Sequence, residues 1–196
     1  MKILLENFLI FIVLLNPVSK LVVLSTLNRD GDRQQLRRIA SRATITALVI
    51  LLIFAYAGTF LLRMIFHIEI SSLQVVGGIV LFLIGLRALQ KGEFFEIDAH
   101  QELRDVAVVP IASPMIAGPA AITASISQSA IFGANIISLA IFLALTINFL
   151  TMLFAMEINN QLKRCNLMGP FIRITGLFIA SIGANMSLTG VKDFLS

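Results

Sequence analysis

Two dipeptides set in otherwise apolar surroundings could do chemistry in this chain: Asn16-Pro17 and Ser113-Pro114. In each, a side chain able to cap a helix precedes a proline, which suits the first helical position. Proline removes an amide donor, clashes with the turn before it and pushes the preceding residue away from helical geometry. Each pair therefore predicts a helix start. Inside a membrane span such a start splits the span into two half-helices. The new N-terminus presents free amide hydrogens and about half a positive charge, while the end of the preceding half presents free carbonyls. Together these poles can hold a carboxylate and an ammonium without any charged side chain. A small zwitterion fits that polarity.

The residues that follow each break suit a small ligand. The turns from Pro17 through Val18 to Ser19 at the first break, and from Pro114 through Met115 and Ile116 to Ala117 at the second, offer the backbone amides of their non-proline residues. Gly118, Pro119, Ala120 and Ala121 leave room for a ligand or let helices approach closely. Thr123, Ser125 and Ser127 add hydroxyls along the same helix. The candidate substrate-binding set is thus Asn16, Pro17, Val18, Ser19, Ser113, Pro114, Met115, Ile116, Ala117, Gly118, Pro119 and Thr123. The plainer reading of either break is a proline kink, which membrane helices tolerate. Lys20 is the basic residue well inside a span, and it either serves the site or snorkels to the cytoplasmic edge. Asn148 and Asn185 either line the cavity or tie helices together, the tie being favoured.

Glu6, Glu69 and Glu157 fall near span ends, so a buried carboxylate relay has no obvious carrier. His67 and His100 are isolated and read as structural or solvated. No metal-ligand cluster or phosphate-binding glycine loop is present, so neither an enzyme nor a cofactor is expected. The single cysteine, Cys165, excludes a disulfide within the chain.

The elements that position these residues follow from composition. Of the 196 residues, 58% are hydrophobic and 13% charged, against roughly 25% charged in soluble domains. From Val106 to Met156 there is no ionisable Asp, Glu, Lys, Arg or His. One crossing takes roughly 20 apolar residues, so this run is long enough for two. Backbone in lipid has to be hydrogen-bonded internally, and the alternation of barrel strands is missing. The pattern predicts an all-α membrane protein with six spans, at about residues 3–27, 43–66, 70–90, 106–130, 136–156 and 170–191. Spans one and four are discontinuous. A first helix after Lys2 is expected to be retained, because no small-residue cleavage site precedes Asn28.

Basic residues set the orientation. The connections after spans one, three and five carry Arg29, Arg33, Arg37, Arg38, Arg42, Arg87, Lys91, Arg104, Lys163, Arg164 and Arg173, eleven in all; the opposite side carries Lys2, Arg63 and Lys192. Positive charge marks the cytoplasmic side, so both termini are expected outside the cytoplasm. The net charge of +4 reflects these connections and not a nucleic-acid partner.

An internal echo divides the chain. Gly78 and Gly85 in span three are seven residues apart, as are Gly176 and Gly183 in span six. From Pro17 to Gly78 is 61 residues and from Pro114 to Gly176 is 62. One register therefore relates residues 1–98 to 99–196, each half holding three spans. An odd number of spans inverts the second copy, the arrangement of many secondary transporters. The glycine pairs themselves read as packing seams.

Asn16-Pro17, the stretch Val76 to Gly85 (VGGIVLFLIG) and the stretch Val109 to Pro119 (VPIASPMIAGP) resemble the MarC family. The resemblance covers nearly the whole chain. It implies a six-helix membrane protein and, through the SnatA-like branch, uptake of glycine and alanine. The chain departs from the family pattern Asn/Asp-Pro-x-Gly-x-x-Pro in span one, where Ser19 replaces the glycine and Val22 the second proline; in span four the second proline survives as Pro119.

The resulting expectation is a secondary transporter of small neutral amino acids in the cytoplasmic membrane, with one half rocking against the other. Proton or sodium coupling and a homo-oligomer are both compatible with the sequence. An uncoupled channel and a non-transporting scaffold are the alternatives.

Overall fold

The computed structural model describes residues 1–27, 33–61, 64, 67, 69–92, 117–155, 157, 158, 161 and 168–195. Among the described residues every long element is a helix: α1 Lys2–Leu15, α2 Pro17–Leu27, α3 Arg33–Phe60, α4 Ile70–Lys91, α5 Pro119–Phe132, α6 Ala134–Leu153 and α7 Met168–Leu195. Five stretches are long and apolar enough to cross a membrane: Lys2–Leu21, which runs through the α1–α2 junction, then α3, α4, α6 and α7.

Span one breaks where the sequence predicts it, at Asn16. The second span differs. Its helix begins at Arg33 and not near residue 43, because Gln34, Gln35, Leu36, Arg37 and Arg38 are good helix formers. Charge excludes that first portion from hydrocarbon but not from the helix. The fourth span differs too. Its described helix starts at Pro119 with Gly118 as the capping residue. At 14 residues it is about 21 Å long, short of the ~30 Å hydrocarbon layer. The predicted start at Ser113-Pro114 lies outside the described residues.

The bundle is sorted by size. The buried face of α3 is Leu36, Ala40, Ala43, Ala47, Leu51, Ala55 and Gly58, spaced three or four apart as one helical face requires. Its outward side carries Ile45, Val49, Ile53, Tyr56 and Phe60, all exposed. Large apolar side chains outside and small ones inside suit a lipid solvent, in which close helix approach rather than hydrophobic exclusion holds helices together.

Helix α5 sits at the centre and touches α1, α3, α4 and α6. Ala120, Ala121, Thr123, Ala124, Ser125, Ile126, Ser127 and Ser129 are all buried, so it is enclosed on nearly every side. Its mostly small residues permit that. Gly133, at φ 88°, lets the chain turn from α5 directly into α6, a conformation that L side chains avoid.

The most extensive helix pair is α4 with α7. A Cβ on Gly85 would lie 2.5 Å from the Gly176 carbonyl oxygen, and one on Gly176 would lie 2.8 Å from that of Gly85. Gly78 and Gly183 face each other in the same way, and Gly190 meets the Ser71 carbonyl. Residue numbers rise on one helix as they fall on the other, so the seam is antiparallel. The glycine pairs are backbone-to-backbone packing positions, as the sequence suggests.

Candidate functional site

The break in span one is built by local chemistry. Asn16 takes left-handed backbone angles, φ 45° and ψ 72°, and its amide donates to the carbonyls of Ile12 and Val13, closing α1. Asparagine tolerates this region better than most residues. The Asn16 Oδ1 then accepts from the Ser19 amide at 3.3 Å, and the Ser19 hydroxyl donates to the Asn16 carbonyl at 2.9 Å. Asn16 thus ends one helix with its backbone and caps the next with its side chain.

Lys20 completes the break. Its side chain is 1% exposed and folds back so that Nζ donates to the Leu15 carbonyl and to the Asn16 carbonyl at 3.2 Å. The snorkelling alternative is thereby excluded. The ammonium sits at the C-terminal end of α1, the negative pole of that helix.

The first break and the start of α5 border the same apolar clusters. Leu15 shares an apolar cluster with Ala117, Ala121 and Ala124, and Val18 shares a second with Ala120 and Leu81. Asn16, Val18, Ser19 and Ala117 are buried, while Gly118 and Pro119 stand at the start of α5. Ser113, Pro114, Met115 and Ile116 lie outside the described residues.

The hydroxyls of α5 part company. Thr123 Oγ1 donates to the Pro119 carbonyl of its own helix at 2.9 Å and packs where a Cβ on Gly77 would lie, 2.6 Å away. Thr123 thus packs against α4. Ser125 Oγ donates to the Leu51 carbonyl at 2.8 Å, tying α5 to α3. Ser127 lines a cavity.

That cavity, about 350 Å³, lies among α1, α4, α5 and α7 and is lined by Leu14, Gln74, Ala124, Ser127, Asn185 and Thr189 among others. It adjoins a wider chamber of about 740 Å³, lined by His67, Glu69, Ser71 and Asp193, with Gln74, Ser127 and Ile131 common to both. The inner cavity reaches Leu14, two residues before the break, and none of the described residues of the predicted binding set lines it.

Gln74 was not singled out by sequence, although an amide among Val, Leu and Gly is the signal. It is 8% exposed, and among the described residues its Oε1 has no hydrogen-bond partner. An unpaired buried carbonyl costs roughly 1–3 kcal/mol and is an acceptor waiting for a donor. Of the two readings of Asn185, the structure shows the cavity-lining one. Asn148 instead donates to Met152 Sδ of its own helix at 3.7 Å.

Comparison with known proteins agrees with this architecture. The description "MarC family integral membrane protein" matches residues 1–195. A UPF0056 membrane protein of Pyrococcus horikoshii is 37% identical over 190 residues, covering 97% of this chain and 94% of the relative. One from Methanocaldococcus jannaschii is 32% identical over 191 residues, covering 93% and 92%. The UPF0056 membrane protein YvbG of Bacillus subtilis is 30% identical over 190 residues, covering 90% and 88%. No solved structure matches. An all-helical bundle with lipid-facing bulk, a capped break in its first span and a match along nearly its entire length place this chain in the MarC family of integral membrane proteins.

Proposed function

We propose that the chain is a secondary transporter of small neutral amino acids, glycine and alanine first among them, across the cytoplasmic membrane. It is ion-coupled and works by alternating access. The observation that carries this reading is the broken span beside a cavity: the left-handed turn at Asn16 ends the 14-residue α1 inside an apolar bundle, and a cavity with amide and hydroxyl lining reaches Leu14, two residues away. A break of this kind is a recurrent way to hold a small charged solute in a bilayer.

Two inverted repeats of three spans each complete the proposal. The reciprocal glycine contacts support it. In the register that lays Gly78 on Gly176 and Gly85 on Gly183, the Gly78–Gly183 contact becomes the Gly176–Gly85 contact, as a twofold axis in the membrane plane requires. With positive charge on the cytoplasmic side, the chamber at His67, Glu69 and Asp193 opens outward, and Gln74 and Ser127 lie on the way in.

Uptake of labelled glycine and alanine into proteoliposomes, with and without proton and sodium gradients, tests the reading. Gradient-driven uptake that Asn16→Ala and Ser113→Ala both weaken, in folded protein, is the expected result. Flux without gradient dependence would make it a channel. No flux in correctly inserted protein would leave only the architecture.

A further inference from the structure

We propose that Lys20 is a specificity-determining residue: its ammonium occupies the carbonyl seat at the end of α1 that a ligand's own ammonium would use. The inference rests on the transport reading and says which half of the ligand the break disfavours.

The seat consists of the Leu15 and Asn16 carbonyl oxygens, both accepting from Lys20 Nζ. They are groups that the break itself frees. Asn16 turns into the left-handed region and its Oδ1 takes the Ser19 amide, so the Leu15 carbonyl loses its helical donor, while the Asn16 carbonyl also accepts from the Ser19 hydroxyl. In hydrocarbon such groups require a donor. A cation is the best donor, because these oxygens also form the negative end of the helix.

Lys20 lies one turn into α2, and helical side chains lean toward their own N-terminus. Its stem therefore reaches back across the junction and delivers the ammonium to the seat. Among the described residues no carboxylate pairs with it. The Lys20 ammonium is therefore held by carbonyl oxygens and not by a described carboxylate, and it stands beside the positive end of α2.

The consequence for a ligand is asymmetric. A carboxylate meets a favourable field from Lys20 and from the start of α2. An ammonium meets an occupied seat and a like charge, and buried like charges repel strongly. Two molecules that differ only in the amino group, alanine and propionate, isolate this effect.

The test is binding of radiolabelled alanine and propionate to the full chain in detergent, for wild type and for Lys20→Met, which keeps the stem and removes the charge. The expected result is that the ratio of alanine to propionate affinity rises about tenfold in Lys20→Met. An unchanged ratio in folded protein overturns the proposal, as does a fall.

Should neither ligand bind either protein, the transport reading has failed, and the seat is judged by stability alone. Lys20→Ala is expected to unfold at a lower temperature than wild type, and ethylammonium is expected to restore it where choline at equal ionic strength does not. Equal effects of the two cations overturn the seat.

Discussion

Gly78 and Gly183 are so close that a Cβ on either would lie 2.6 Å from the other's carbonyl oxygen. Backbone meets backbone there, and neither side can yield by rotating a side chain. Gly78→Ala and Gly183→Ala are each expected to destabilise the protein by about 1–3 kcal/mol. Gly169→Ala, with nothing within 4 Å of its Cβ, is expected to be neutral or slightly stabilising. Thermal unfolding in detergent separates the three.

Asn16 serves two helices, and two substitutions divide its roles. Asn16→Gly keeps the left-handed backbone and loses the bond to the Ser19 amide, a cost of a few tenths of a kcal/mol. Asn16→Ala loses the cap and also strains the backbone at φ 45°, at ~1 kcal/mol or more in total. Unfolding midpoints should therefore rank wild type, Asn16→Gly, Asn16→Ala.

Gln74 offers a case in which stability and activity should move apart. Its Oε1 is buried without a partner among the described residues, so Gln74→Leu removes an unsatisfied group and is expected to leave stability equal or higher. The same change deprives a cavity ligand of one acceptor. Uptake should fall about tenfold, the effect of losing one hydrogen bond of ~1.4 kcal/mol. Unchanged uptake would remove Gln74 from the path.

Ser125 is expected to act through packing alone. Its hydroxyl joins α5 to the Leu51 carbonyl of α3 at 2.8 Å, and bonds of this sort between membrane helices contribute roughly 0.6 kcal/mol. Ser125→Ala should lower the unfolding midpoint modestly and leave the ratio of alanine to propionate affinity untouched.

The sequence carries the features that depend on neighbours along the chain. Asn before Pro in an apolar run specifies the break, since both residues act on their own backbone. The seven-residue glycine spacing specifies a seam, since it repeats one face of a helix. Features that depend on neighbours in space are not legible in this way. Thr123, Ser125 and Ser127 read as one set of hydroxyls, yet a turn of 100° per residue sends Ser125 to α3 while Thr123 faces α4. Lys20 left two readings open, because its direction depends on carbonyls freed by a different helix. Gln74 escaped notice because its meaning lies in a cavity that four separate helices enclose.

The glycine seam also says which parts can move. Helices α4 and α7 lie in different halves of the chain, yet they are joined more tightly than any other pair. Sliding them would drive the carbonyls of Gly78, Gly85, Gly176 and Gly183 into neighbouring backbone, since close-packed interfaces switch between discrete arrangements rather than deform smoothly. On the proposed transport reading, the two halves of the sequence would not slide past one another along this seam. In the proposed alternating access, α4 and α7 would move as one frame, and the exchange of access would fall to the broken first span and α5.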